Sequence, residues 1–168
     1  MKYFIMLTIV FLSSCTGVPK GIKPIDNFNL DRYLGDWYEI ARLDHSFERG
    51  LTKVTANYSL NADGSVKVIN KGFSTEKNRW KEATGKAYFV QEENMGYLKV
   101  SFFGPFYGSY IIFKLDEDYQ YAFVTSHNRD FLWLLSRSPA VNDSVKKEFI
   151  KTVTDLDFNV DDIIFVEQ

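Results

Sequence analysis

The stretch Leu34-Gly35-Asp36-Trp37-Tyr38-Glu39-Ile40-Ala41-Arg42 decides how the rest of the chain is read. It opens the first strong period-2 pattern after the N-terminus. Trp37, Glu39 and Ala41 share one face, and Tyr38, Ile40 and Arg42 share the other. Gly35 lets the backbone turn sharply because it has no Cβ to clash. An indole two residues later suits the plug of a barrel end, where one bulky side chain fills space that several small ones cannot. The plainer reading is a strand with a core tryptophan, and the pattern downstream of residue 43 separates the two.

Residues 44–50 are polar and end in Gly50, which predicts a long loop after a first strand at 37–43. Residues 53–60 then alternate, with Val54, Ala56, Tyr58 and Leu60 on one face against Lys53, Thr55, Asn57 and Ser59. Asn61-Ala62-Asp63-Gly64 reads as a hairpin turn into a return strand at 65–73. Strands at 79–90, 97–103, 109–115, 121–125 and 131–137 come next, with an aromatic turn at 103–108. Eight strands with hairpin-length links argue for an up-and-down antiparallel barrel or a sandwich. The period then changes to 3.6: Val145, Phe149, Val153 and Leu156 predict one amphipathic helix, capped by Asn142 or Ser144. A short ninth strand at 163–166 closes the pattern, which is all-β with one C-terminal helix packed outside the sheet.

Upstream of the organising stretch, Asn29 can cap a single helical turn at 30–34. Met1-Lys2 followed by the apolar run 3–12 is too short to span a bilayer and fits the core of a signal peptide. Leu12-Ser13-Ser14-Cys15 closes that run with small residues and the only cysteine, and it resembles the bacterial lipoprotein box. The resemblance implies cleavage after residue 14 and lipidation of Cys15. An ordinary secretory signal with an incidental cysteine is the alternative. Thr16 rather than Asp after the cysteine implies export to the outer membrane, with the anchor in the periplasmic leaflet. Residues 15–29 are then the lipidated cysteine and an extended spacer, and 30–168 the folded domain.

Of 168 residues, 45% are hydrophobic and 25% charged, which places the chain among globular proteins. Aromatic residues make up 17%, so the interior is built largely of Phe and Tyr. The net charge is −2 with no basic stripe, which argues against nucleic acid as a partner. One cysteine precludes an internal disulfide. His45 and His127 have no neighbours at metal-ligand spacing, so no metal site and no cofactor are expected.

Eight strands, one late helix and a ninth strand, begun by Gly35-x-Trp37, resemble the lipocalin family. Asp118-Tyr119 before the seventh strand loosely matches the family's second motif, and Arg137 after Leu134-Leu135-Ser136 matches its third. The similarity is closer to the bacterial outer-membrane lipoprotein lipocalins and more distant to apolipoprotein D. It implies that Gly35, Trp37 and Arg137 close one end of the barrel, with the guanidinium over the indole. It also implies an apolar calyx for a lipid, a long-chain fatty acid or lysophospholipid, lined by the inward residues Tyr58, Phe89, Val100, Phe102, Tyr110, Ile112 and Trp133. Lys114, Arg42 and Arg49 stand as possible head-group contacts. A bulge would turn Lys114 outward, and the two arginines read as solvated.

An enzyme is the competing class. Some lipocalins act through a barrel thiolate, but Cys15 lies outside the barrel. Asp44, His45 and Glu48 read as a solvated loop with nothing apolar around them, so no catalytic residue is expected. A structural envelope protein with a filled barrel is a third reading. The lipid, its donor and the oligomeric state, a homodimer included, are not legible.

Overall fold

The computed structural model describes residues 16–168, so Cys15 and the leader and lipoprotein-box readings lie outside the described residues. Asn29 accepts a hydrogen bond from the Arg32 backbone N–H and caps the four-residue helix α1 (Leu30–Tyr33). Gly35, at φ +93°, turns the chain out of it in a conformation that L side chains rarely adopt. The chain then runs through β1 (Gly35–Leu43), β2 (Leu51–Leu60), β3 (Val66–Ser74), β4 (Arg79–Phe89), β5 (Tyr97–Phe103), β6 (Phe106–Leu115), β7 (Tyr121–Thr125) and β8 (Leu132–Ser136). Each strand pairs antiparallel with the next, and β1 pairs with both β8 and β2, which closes the sheet into an eight-stranded barrel. Helix α2 (Asp143–Asp155), capped by Asn142, packs outside, and β9 (Ile163–Phe165) adds to the outer half of β1.

Along the edge opposite β8, β1 serves two partners in turn. Gly35 to Tyr38 pair with β2, whereas Ala41 to Leu43 pair with β9. Between them the C-terminal residues fill the gap. Val166 N–H donates to Ile40 O at 2.9 Å, Lys53 N–H donates to Glu167 O at 2.6 Å, and Gln168 Nε2 donates to Glu39 O and Val54 O. Backbone groups that the splayed strands would leave bare are thereby paired.

Two apolar cores result. One lines the barrel interior and includes Trp37, Tyr58, Val68, Leu98 and Ile112. The other lies between the barrel wall and α2, where Phe149 and Val153 meet Ile111, Phe123 and Leu134. The Phe123 and Phe149 rings stand edge to face at 5.0 Å. A register shift between Ile112 and Lys114 turns Lys114 outward, where its ammonium pairs with Glu148 of α2.

A second shift, between Glu39 and Ala41, overturns part of the alternation read from the sequence. Ile40 and Ala41 both join the outer core, and the phase then flips. Arg42, expected on the outer, solvated face, is buried instead. Leu60 departs in the opposite sense: grouped by alternation with Val54, Ala56 and Tyr58, it is 52% exposed because it lies beyond the plugged end. Nor does the segment read as a spacer extend away from the barrel. The Thr16 carbonyl accepts from the Tyr97 hydroxyl, Gly17 O accepts from Ser109 Oγ, and Lys20 O accepts from Arg129 Nη2. Ile22 and Phe28 are buried along the same path, and their apolar burial is what docks it.

The closed end gathers all three motif stretches. Trp37 is fully buried, its Nε1 donates to Tyr33 O at 2.8 Å, and the Arg137 guanidinium carbon lies 4.0 Å from its ring centre. Arg137 also donates to Asp36 O and Arg32 O, which ties β8 to the lead-in. Tyr119, from the second motif, accepts from the Asn29 N–H and lies under the Arg32 guanidinium. Trp37→Ala should therefore cost about 3–5 kcal/mol, and Arg137→Ala less, roughly 1–2 kcal/mol. In denaturant titrations the double variant should lose less than the sum of the two; additive losses would show that the residues do not cooperate.

Candidate ligand-binding site

With one end plugged, the remaining barrel interior is a cavity of about 500 Å³. That lies within the range of roughly 300–1,000 Å³ common for small-molecule sites. Its walls are mainly apolar: Val54, Ala56, Val66, Val68, Leu98 and Leu135 come from four strands. Phe47, Phe103 and Phe106 line its outer end and are 68%, 74% and 66% exposed, so the cavity reaches the surface through an aromatic mouth.

Of the residues expected to face a ligand, Tyr58, Val100, Phe102, Tyr110 and Trp133 line this cavity. Phe89 and Ile112 do not. They point inward but pack in the core at the closed end, where Phe28 and Ile25 from the lead-in fill the space beside them. Phe102 owes its place to Gly85 on the neighbouring strand: a Cβ there would stand 2.8 Å from the Phe102 ring. Lys114 is outside the barrel and Arg49 pairs with Asp44 at the surface, so neither faces the cavity.

Near the mouth the cavity wall carries a buried charged group that alternation did not anticipate. Arg42 Nη1 donates to Glu39 Oε1 at 2.7 Å, and its Nη2 donates to the carbonyls of Glu48 and Leu51. His45 Nε2 lies 3.0 Å from Glu48 Oε2, which also accepts from Trp133 Nε1 at 3.1 Å. The loop expected to be solvated is thus folded in, with His45 buried against Phe47, Phe131 and Trp133. Asp44 alone of the three acid–base candidates stays exposed. A readable signal existed: Glu39 and Arg42 are oppositely charged and three apart, a spacing that meets across a bulge but not along a regular strand.

Burial and the neighbouring Glu48 charge push the Glu39 carboxyl well above the usual range, against the opposing pull of Arg42. Burial also acts to raise Glu48, but hydrogen bonds from His45 and Trp133, with the charges of His45 and Arg42, outweigh it and hold Glu48 below its ordinary value. The two carboxylates thus divide their roles, Glu48 keeping its charge and Glu39 being the first to take a proton.

At the floor, three tyrosines meet. Tyr110 Oη lies 2.7 Å from Tyr33 Oη and 2.8 Å from Tyr58 Oη, and burial raises all three phenols above their ordinary value. Tyr33 is missing from the lining expected by alternation because it belongs to α1, whose single turn brings it beneath the strands. Its spacing four residues ahead of Trp37 is the only trace in the sequence.

The charged group makes a measurable claim. Arg42→Met should cost about 3–5 kcal/mol, because it leaves the buried Glu39 carboxylate without its cation and the Glu48 and Leu51 carbonyls without their donor. Glu39 titrates above its unfolded value, so its ionisation opposes folding as pH rises and is relieved as pH falls. The loss in Arg42→Met should therefore shrink in denaturant titrations as pH falls toward the ordinary carboxylate range, and a pH-independent loss would contradict the assignment.

Comparison with known proteins agrees with this geometry. Residues 28–168 match the Lipocalin-like domain. The chain is 54% identical over 166 residues to the outer membrane lipoprotein Blc of Vibrio cholerae, covering 98% of this chain and 97% of that protein. Mouse apolipoprotein D is 35% identical over 122 residues, covering 68% of this chain and 63% of its own length. Among solved structures, insecticyanin from the tobacco hornworm superposes with a TM-score of 0.71 at 19% identity, over 90% of this chain and 87% of that one. A plugged eight-stranded barrel, an open apolar cavity and these matches together identify the chain as a member of the lipocalin family.

Proposed function

We propose that this lipocalin is an outer-membrane lipoprotein that carries a long-chain fatty acid or a lysophospholipid in its calyx. The observation that carries the reading is the cavity of about 500 Å³, apolar along its walls and open at an aromatic mouth. Its volume counts against a filled, purely structural barrel. A chain of about 16 carbons buried there would gain on the order of 10 kcal/mol gross, at about 0.8 per methylene. Association and ordering costs would leave a dissociation constant in the micromolar to nanomolar range. The membrane location rests on the resemblance to the Vibrio cholerae lipoprotein and on the Leu12-Ser13-Ser14-Cys15 stretch. With the three acyl chains that the lipoprotein resemblance implies on Cys15, attachment would be effectively permanent, since two or more chains hold firmly. Because the segment after Cys15 is docked on the barrel from Thr16 onward, little slack separates anchor and barrel.

Two measurements test this reading. Titration calorimetry with the chain beginning at Thr16 should show near-equimolar binding, with affinity rising by up to about 0.8 kcal/mol per added methylene until the cavity is full. Ala56→Trp, which intrudes on the cavity wall, should weaken long chains more than short ones. A profile flat with chain length would make the aromatics simply core. Separately, Cys15→Ala should abolish lipid labelling and release the protein from the outer-membrane fraction. Unchanged labelling would refute the anchor.

A further inference from the structure

The three phenols at the cavity floor form a closed count. Tyr33, Tyr58 and Tyr110 bring three hydroxyl protons, and the two contacts through Tyr110 use two of them. Whichever way the chain of bonds runs, one proton is left without an acceptor. If Tyr33 donates to Tyr110 and Tyr110 to Tyr58, the spare is on Tyr58, and the reverse order leaves it on Tyr33. If both outer phenols donate inward, it is on Tyr110. Among the described residues these three hydroxyls hydrogen-bond only to one another. All three side chains line the cavity, and Tyr33 and Tyr58 are buried. Solvent can serve that donor while the cavity is open, but an acyl chain that fills the mainly apolar pocket excludes it, and a buried donor with no acceptor is costly, so a chain that brings its own oxygen to the floor is favoured.

The geometry points to a polar subsite at the bottom of the calyx that takes a neutral oxygen acceptor, a hydroxyl, ketone or ester carbonyl, carried on the inner part of an acyl chain. Charge decides against a carboxylate inserted head first. Arg137 is not among the residues that line the cavity, its guanidinium being stacked on Trp37 and bonded to the Asp36 and Arg32 carbonyls, and one phenolic proton does not compensate a buried anion. The cationic Arg42 is near the mouth and already bonded to Glu39 and to the Glu48 and Leu51 carbonyls. The preferred cargo is therefore an oxygenated chain with its own head group at the mouth. This inference rests on the lipid-carrier reading and specifies the ligand class within it.

The test is a positional series on the chain beginning at Thr16: palmitic acid and its hydroxy isomers, with the hydroxyl stepped from mid-chain to the terminal carbon, measured by titration calorimetry. A hydroxyl should weaken binding at most positions, because it is dragged into an apolar wall. At the depth that meets the tyrosines, binding should be about five- to tenfold tighter than at neighbouring positions. Tyr33→Phe still leaves two phenols and one bond, hence one spare proton, so the preference should survive. Replacing Tyr33, Tyr58 and Tyr110 together by Phe removes every donor, and the preference should vanish while plain palmitic acid still binds. A wild-type series with no favoured position overturns the subsite even if plain chains bind well, as does a preference retained in the triple variant. Failure of plain palmitic acid to bind the wild type would instead sink the carrier reading. Should the triple variant not fold, the wild-type series decides alone.

Discussion

The structure depends on how Trp37 is held. Its indole N–H is anchored to the Tyr33 carbonyl, the Tyr33 ring lies 4.7 Å away, and the Arg137 guanidinium covers the ring. These contacts join α1, β1 and the end of β8, the places where a sheet must meet itself to become a barrel. Arg137 adds direction as well as attraction, since its two hydrogen bonds to Asp36 O and Arg32 O fix the lead-in against the last strand. With no disulfide available to brace it, closure rests on this packing and on the β1–β2 and β1–β8 ladders.

Plugging one end with the largest side chains displaces the unfilled volume to the other. The small residues along the cavity, Ala56, Ala83 and Ala87, cannot fill a barrel whose diameter is set by eight strands. What remains is an apolar chamber with a polar floor of tyrosines and a charged group near the mouth. The charged group exists because β1 must serve two cores. Its bulge sends Ile40 and Ala41 outward together toward α2, and the next residue, Arg42, is carried inside. Once inside, Arg42 needs acceptors, and Glu39, the Glu48 carbonyl and the Leu51 carbonyl supply them. The long loop folds inward as a consequence.

Much of this architecture is legible in the residues alone. Period-2 runs locate the strands, although β6 begins at Phe106, inside the stretch read as an aromatic turn; a break to period 3.6 locates α2, and Asn29 and Asn142 both cap where side-chain chemistry says they should. Resemblance places Trp37 and Arg137 at the closed end, and they meet there. Five of the seven residues expected to line the calyx do so. Phe89 and Ile112 miss because alternation reports which side of a sheet a residue faces, not how far down the barrel it lies. Leu60 fails for the same reason at the barrel's rim, and Arg42 fails because a one-residue bulge is invisible to a pattern of period 2.

By itself, the sequence determined the number, order and type of the elements, the antiparallel connectivity implied by short links, and the apolar face by which the helix docks. Those properties arise from local chemistry, namely alternation, turn residues and caps, which act over a few neighbours. Only the tertiary structure decided the size of the cavity, the burial of Arg42 and His45, the docking of residues 16–28 along the barrel, and the meeting of Tyr33, Tyr58 and Tyr110. Each depends on register, a bulge or barrel closure, which no local repeat encodes, and the tyrosine cluster and the docked segment also need partners far apart in sequence. Tyr33 and Tyr110 are 77 positions apart, and no local pattern carries information across that interval.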